Sequence, residues 1–109
     1  MARKSKKKQE TVLENVIEKY LKDELQKAGG ICWKWNSSSV IGVPDRICML
    51  NSNVVFVELK RPGGKPRDSQ VDVHKRMALR GIGTLVIDTK EGVDILVKEM
   101  KKNKGSGGW

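Results

Sequence analysis

The sequence predicts an α/β domain, a mixed four-stranded sheet flanked by helices in the order αβββαβα. Three observations carry this. Apolar residues recur at helical spacing before Gly29 and again after Glu91. Between Ile31 and Val57 the pattern changes to short strand-like runs broken by Ser, Asn and Gly. A helical stretch then separates the third run from a fourth, Gly83 to Ile87, and it is long enough for a right-handed parallel crossover.

A chain of 109 residues holds one modest domain. Residues 1–8 carry Arg3, Lys4, Lys6, Lys7 and Lys8 without an apolar anchor. They read as a basic arm, or as the polar start of a helix. Residues 9–28 read as helix, with Leu13, Val16, Ile17, Tyr20, Leu21, Leu25 and Ala28 on the 3.6 period and Gly29-Gly30 as the stop. Glu14 and Glu18 border that apolar arc, one turn apart.

Residues 31–36 alternate Ile31, Trp33 and Trp35 against Cys32, Lys34 and Asn36. That predicts a strand with one buried aromatic face, the tryptophans being read as core in preference to base-stacking platforms. Ser37-Ser38-Ser39 is a polar loop, either a donor of hydroxyls and N–H groups to a phosphate or a plain connector. Two further strands follow, Arg46 to Leu50 and Val54 to Val57, joined through Asn51-Ser52-Asn53.

Arg61 to Arg67 form a rigid basic loop containing Lys65. Asp68 or Ser69 is expected to cap a helix running through Arg80, with Gln70 in its first turn and Val73 and Met77 inward. His74, the chain's one histidine, reads as a surface residue. Gly83 to Ile87 is continuously apolar and predicts a buried strand. Residues 91–102 predict a last helix with Val93, Leu96, Val97 and Met100 inward, and residues 103–109 a flexible tail. The domain proper is therefore 9–102.

The net charge of +9 points to an anionic partner, nucleic acid before membrane, since no basic amphipathic helix with an aromatic face appears, and no apolar run is long enough to span a bilayer. Cys32 and Cys48 lack zinc spacing and read as buried thiols in a reducing compartment, hence a cytoplasmic protein. No apolar segment follows the basic N-terminus, so no secretory signal is expected.

The chemistry concentrates between Asp45 and Lys60. Glu58 and Lys60 lie two apart at a strand end and share a face. Hairpin register decides whether Asp45 joins them. A strict three-residue loop would pair Leu50 with Val54 and turn Asp45 away. A two-residue loop at Ser52-Asn53, or a four-residue loop, would pair Ile47 with Glu58 and Asp45 with Lys60, all on one face. The even loop, or a compensating bulge, is the expectation. Two carboxylates on so basic a surface suit a hard cation, Mg²⁺ or Mn²⁺, with Leu59 lending its backbone carbonyl and Lys60 orienting water or stabilising phosphorane charge.

Gly42-Val43-Pro44-Asp45, Glu58-Leu59-Lys60-Arg61-Pro62 and Gln70 together resemble the VRR-NUC domains of the PD-(D/E)xK nuclease superfamily. The resemblance spans nearly the whole chain and implies a restriction-endonuclease-like core. It implies Asp45, Glu58 and the Leu59 carbonyl as metal ligands, Lys60 as the catalytic lysine, and Gln70 as a supporting residue. It also implies a glutamate from the first helix near the metal, with Glu18 preferred and Glu14 the alternative. Ser37, Ser38, Ser39, Arg61, Lys65 and Arg67 are the expected DNA contacts. Short standalone members look like phage or bacterial nucleases, some resembling Holliday-junction resolvases that act as homodimers. The resulting expectation is a metal-dependent endonuclease on branched DNA, against a non-catalytic nucleic-acid-binding module as the competing one.

Overall fold

A computed structural model describes residues 2–102, with side chains described from Leu13 onward. The elements are α1 (Ala2–Lys27), β1 (Ile31–Lys34), β2 (Arg46–Leu50), β3 (Asn53–Leu59), α2 (Asp68–Ala78), β4 (Thr84–Ile87) and α3 (Lys90–Lys102). They form one sheet in the order β1-β2-β3-β4. The first three strands are antiparallel neighbours, and β4 runs parallel to β3 after the α2 crossover. This is the predicted mixed α/β architecture. Residues 2–8 continue α1, the second of the two readings of the basic start. The expected tail, 103–109, lies outside the described residues.

The core forms on one face of the sheet. Ile17, Leu21 and Leu25 of α1 meet Val93, Leu96, Val97 and Met100 of α3 over Cys32, Cys48, Val55, Val57, Leu59 and Ile87. The Tyr20 hydroxyl donates to Asp94 Oδ1 at 2.6 Å and so ties α1 to α3. Leu13 and Val16, predicted inward, are exposed, because α1 buries one residue per turn, Ile17, Leu21 and Leu25.

Cross-strand partners share a face, so the alternate residues line the opposite side. Ile31, Met49 and Val54 form one row there, and Trp33, Ile47, Phe56 and Thr84 the next. Trp33 is 58% exposed, which corrects the reading of it as core. The period-2 pattern of β1 was read rightly, but α1 covers the Cys32 side. Trp35 is half-buried against Phe56, ring centroids 5.3 Å apart. Similarly β4, predicted buried, is an edge strand in which Leu85 and Val86 stay exposed and Ile87 alone is buried.

The hairpin closes on two residues. Leu50 pairs with Asn53, leaving Asn51 (φ 56°) and Ser52 (φ 68°) as a left-handed pair, the twist that a two-residue hairpin requires. The even parity is as expected, one residue earlier than Ser52-Asn53. Ile47 consequently faces Phe56 rather than Glu58, and continuing the ladder sets Asp45 opposite Glu58 rather than Lys60. The turn also anchors α3, since Asn51 Nδ2 and Asn53 Nδ2 donate to the carbonyls of Lys101 and Met100 at 3.0 and 3.1 Å. A serine at positive φ is strained where glycine is not. Ser52→Gly is expected to raise stability by about 0.5–1 kcal/mol in urea unfolding, with the m-value unchanged.

Candidate active site

The site is built at the end of the sheet where β2 begins and β3 ends. Gly42 (φ +106°) seats the incoming loop directly on α2, where a Cβ would stand 2.4 Å from the Ser69 carbonyl oxygen and 3.0 Å from the Gln70 nitrogen. Pro44 is fully buried behind it. Asp45 emerges next, its carbonyl accepting the Trp35 N–H at 2.9 Å and its Oδ2 accepting the Leu59 N–H at 2.8 Å. Its carboxylate is thus fixed to the β3 backbone beside Glu58.

Glu58 is 1% exposed. Lys60 Nζ lies 3.6 Å from its Oε2. Gln70 Nε2 donates to the same oxygen at 2.6 Å, while Gln70 Oε1 accepts the Arg67 N–H at 2.7 Å. One amide therefore caps α2 and holds Glu58, which a glutamate in its place would repel. The cap residue is Arg67, not Asp68 or Ser69, and α2 ends at Ala78 rather than Arg80. Glu58 Oε1 is buried with no hydrogen-bond partner. Burial, and secondarily the neighbouring Asp45, push the Glu58 pKa up to about 8, against the opposing effect of Lys60.

Of the two helix glutamates, Glu18 is paired with Arg46 (2.9 Å), whose Nη1 also donates to the Cys32 carbonyl. Burial raises the Glu14 pKa, with Lys60 opposing and Asp45 adding to the rise. Both line a polar cleft of about 250 Å³ with Asn15, Lys34, Trp35, Asn36, Asp45 and Leu59. A larger groove of about 340 Å³, bounded by Val54, Phe56 and Ile82, carries no titratable side chain. The Ser37 hydroxyl accepts the Val40 N–H at 3.1 Å and so shapes its own loop, while Ser38 and Ser39 are exposed. Lys65 and Arg67 are exposed on the loop after β3. That loop is pinned by the Gly63 N–H donating to Asp88 Oδ2 at 3.0 Å.

His74, read from sequence as a surface residue, is 15% exposed and stands over Glu58, its Nε2 3.7 Å from Oε1. Burial lowers its pKa. Its spacing of four from Gln70 was the available signal, because it puts both side chains on one face of α2.

The donor set fits a hard divalent cation. Asp45, Glu58 and the Leu59 carbonyl offer oxygen only, and the partnerless Glu58 Oε1 is an acceptor without a donor. Among the described residues no three His, Cys, Asp or Glu side chains are grouped to hold a metal ion. An open set of two carboxylates and a carbonyl matches Mg²⁺, which keeps several waters and is held by few protein ligands.

No protein-family model matches the chain. A protein named "Putative nuclease p44", from Acyrthosiphon pisum secondary endosymbiont phage 1, is 41% identical over 86 residues, covering 78% of this chain and 92% of its own. A solved chain described as a VRR_NUC domain matches with a TM-score of 0.71 and 30% identity, over 78% of this chain and 94% of its own. The chain belongs to the VRR-NUC family. Its coarse activity is therefore that of a nuclease, a hydrolase of nucleic acid. In this VRR-NUC domain the residues that carried the resemblance, Asp45, Glu58, Lys60 and Gln70, lie together in space.

The raised Glu58 pKa has a measurable consequence for the metal-free VRR-NUC domain. Between the unfolded value of 4.5 and the folded value of about 8, the folded state holds a proton that the unfolded state releases. Stability from this group is present below pH 4.5 and lost as pH rises through 8. In metal-free protein, Glu58→Gln should gain stability over wild type progressively across that window. Thermal melts of the two proteins, compared at each pH, measure the difference.

Proposed function

We propose that the chain is an Mg²⁺- or Mn²⁺-dependent endodeoxyribonuclease that acts as a homodimer on branched DNA such as Holliday junctions, in the cytoplasm of a bacterial cell. The observation that carries this reading is the convergence of Asp45, Glu58 and Lys60 at one sheet end, with a buried Glu58 oxygen left without a partner. Asp45, Glu58 and the Leu59 carbonyl would hold the metal, with Glu14 the helix glutamate left to join them because Glu18 is paired with Arg46. The bound metal would polarise the scissile phosphate and lower the pKa of its water.

The chain's own residues supply the rest. Lys60, on the same face as Glu58, holds a positive charge where the phosphorane gains negative charge. Gln70 fixes the Glu58 carboxylate from the start of α2. Arg61, Lys65 and Arg67 carry positive charge on the loop leading from the site to α2, where a phosphate backbone can lie against it. Ser37, Ser38 and Ser39 lie on the connector entering Gly42 and offer hydroxyls to the same backbone. No described helix presents a base-reading surface at the site, which favours selection by DNA shape over sequence.

The homodimer rests on the part of the second sheet face that α2 leaves exposed. Ile31, Trp33 and Val54 are exposed there beside Ile47, Met49 and Phe56, a contiguous apolar surface of the kind that associates. A second copy would bury it and bring two sites onto one branched substrate.

Labelled four-way junctions, flaps and linear duplex are the test, incubated in parallel with Mg²⁺ or Mn²⁺. Wild type is expected to cut the junction fastest and to cut nothing in EDTA. Lys60→Ala should lose roughly 100-fold or more of that rate. Metal-dependent cleavage that persists in this variant contradicts the assignment, and equal cutting of all three substrates contradicts branch selectivity. In light scattering the wild type should have the mass of two chains and Trp33→Glu the mass of one.

A further inference from the structure

Two buried polar atoms at the site face one another without a hydrogen bond. Glu58 Oε1 and His74 Nε2 are each buried and partnerless, 3.7 Å apart. Such orphans are rare inside proteins, because each loses its water without recovering a partner. The other oxygen of the same carboxylate is already held by Gln70, one helical turn before His74 on α2. α2 therefore presents two side chains, four residues apart, to the two oxygens of one glutamate.

We propose that His74 is a positioning residue for Glu58, its Nε2–H donating to Oε1 while Gln70 holds Oε2, so that α2 fixes the plane of the carboxylate. The inference rests on the reading of Glu58 as a metal ligand. Each carboxylate oxygen has two lone pairs, so donation from α2 leaves one on each for a cation. Closing 3.7 Å to hydrogen-bond distance takes a small movement of the ring or carboxylate. A neutral ring carries the single N–H this role needs. Lys60 and Gln70 both lie on Oε2, and His74 is the nitrogen that stands beside Oε1. Donors that orient ligands commonly affect metal affinity as strongly as this role requires.

The chain has one histidine, so its ring nitrogens are assigned in an NMR spectrum without ambiguity. Long-range ¹H–¹⁵N spectra of the metal-free protein recorded above pH 8, where Glu58 is a carboxylate, should show the Nε2–H tautomer, and Glu58→Ala should shift its signal. An Nδ1–H tautomer, or a signal indifferent to Glu58→Ala, overturns the proposal. Calorimetric titration with Mn²⁺ adds a second readout. His74→Ala should weaken binding roughly 10–100-fold, and His74→Gln, which returns an N–H at similar reach, should restore most of it. In cleavage, His74→Ala should lower kcat with KM for DNA unchanged. Unaltered Mn²⁺ affinity in His74→Ala, or no rescue by His74→Gln, overturns the positioning role. Absence of Mn²⁺ binding by the wild type overturns the metal reading instead, since the tautomer is read without metal.

Discussion

Two carboxylates that face each other at the end of a sheet repel unless a proton or a cation comes between them. Asp45 and Glu58 stand in that relation, and much of the site answers to it. The Glu58 pKa rises to about 8 because burial and Asp45 both disfavour a second negative charge. Lys60 at 3.6 Å offsets part of that, and the Gln70 amide offsets another part by donating at 2.6 Å. Asp45 Oδ2 accepts the Leu59 N–H at 2.8 Å, which fixes its carboxylate to the β3 backbone. What remains unsatisfied is an excess of oxygen acceptors over donors, which is the electrostatic condition for binding a hard divalent cation.

The rest of the fold keeps that pair in place. A two-residue turn at Asn51-Ser52 sets the parity that brings Asp45 opposite Glu58, and a one-residue slip would turn every side chain of β2 to the other face. The asparagines of the hairpin hold the last carbonyls of α3, so the register is tied to the core. At the other end, Gly42 allows the loop before Asp45 to rest on the backbone of Ser69 and Gln70. Loop, strand end and α2 are thereby one unit. α2 supplies the donors, β3 the acid, the residue just after β3 the lysine, and the loop the second acid.

Most of this was legible in the sequence where local chemistry decides. The requirement that Asp45 share a face with Glu58 and Lys60 called for an even loop, and the structure has one, displaced by one residue. The element order followed from apolar periodicity. What periodicity does not encode is which face of a strand receives a helix. Trp33 alternates with Cys32 in either case, and α1 packs on the cysteine, so the aromatic residue is left exposed. Likewise the apolar run of β4 carried no sign that the strand sits at the sheet's edge. Glu14 and Glu18 are one turn apart, and only the position of Arg46 on the core face decides that Glu18 is drawn away to it at 2.9 Å. His74 was missed because a lone histidine on a helix is usually solvated. Its four-residue spacing from Gln70 held the information, but only once Gln70 is known to face Glu58.

The central claim is that the Asp45–Glu58 pair is a metal centre. Crystals soaked in Mn²⁺ and measured for anomalous scattering test it most directly. A peak bonded to Asp45, Glu58 and the Leu59 carbonyl, with water in the remaining positions, is the expected result. A map with no peak at this pair, or with manganese bound only elsewhere on the chain, would contradict it.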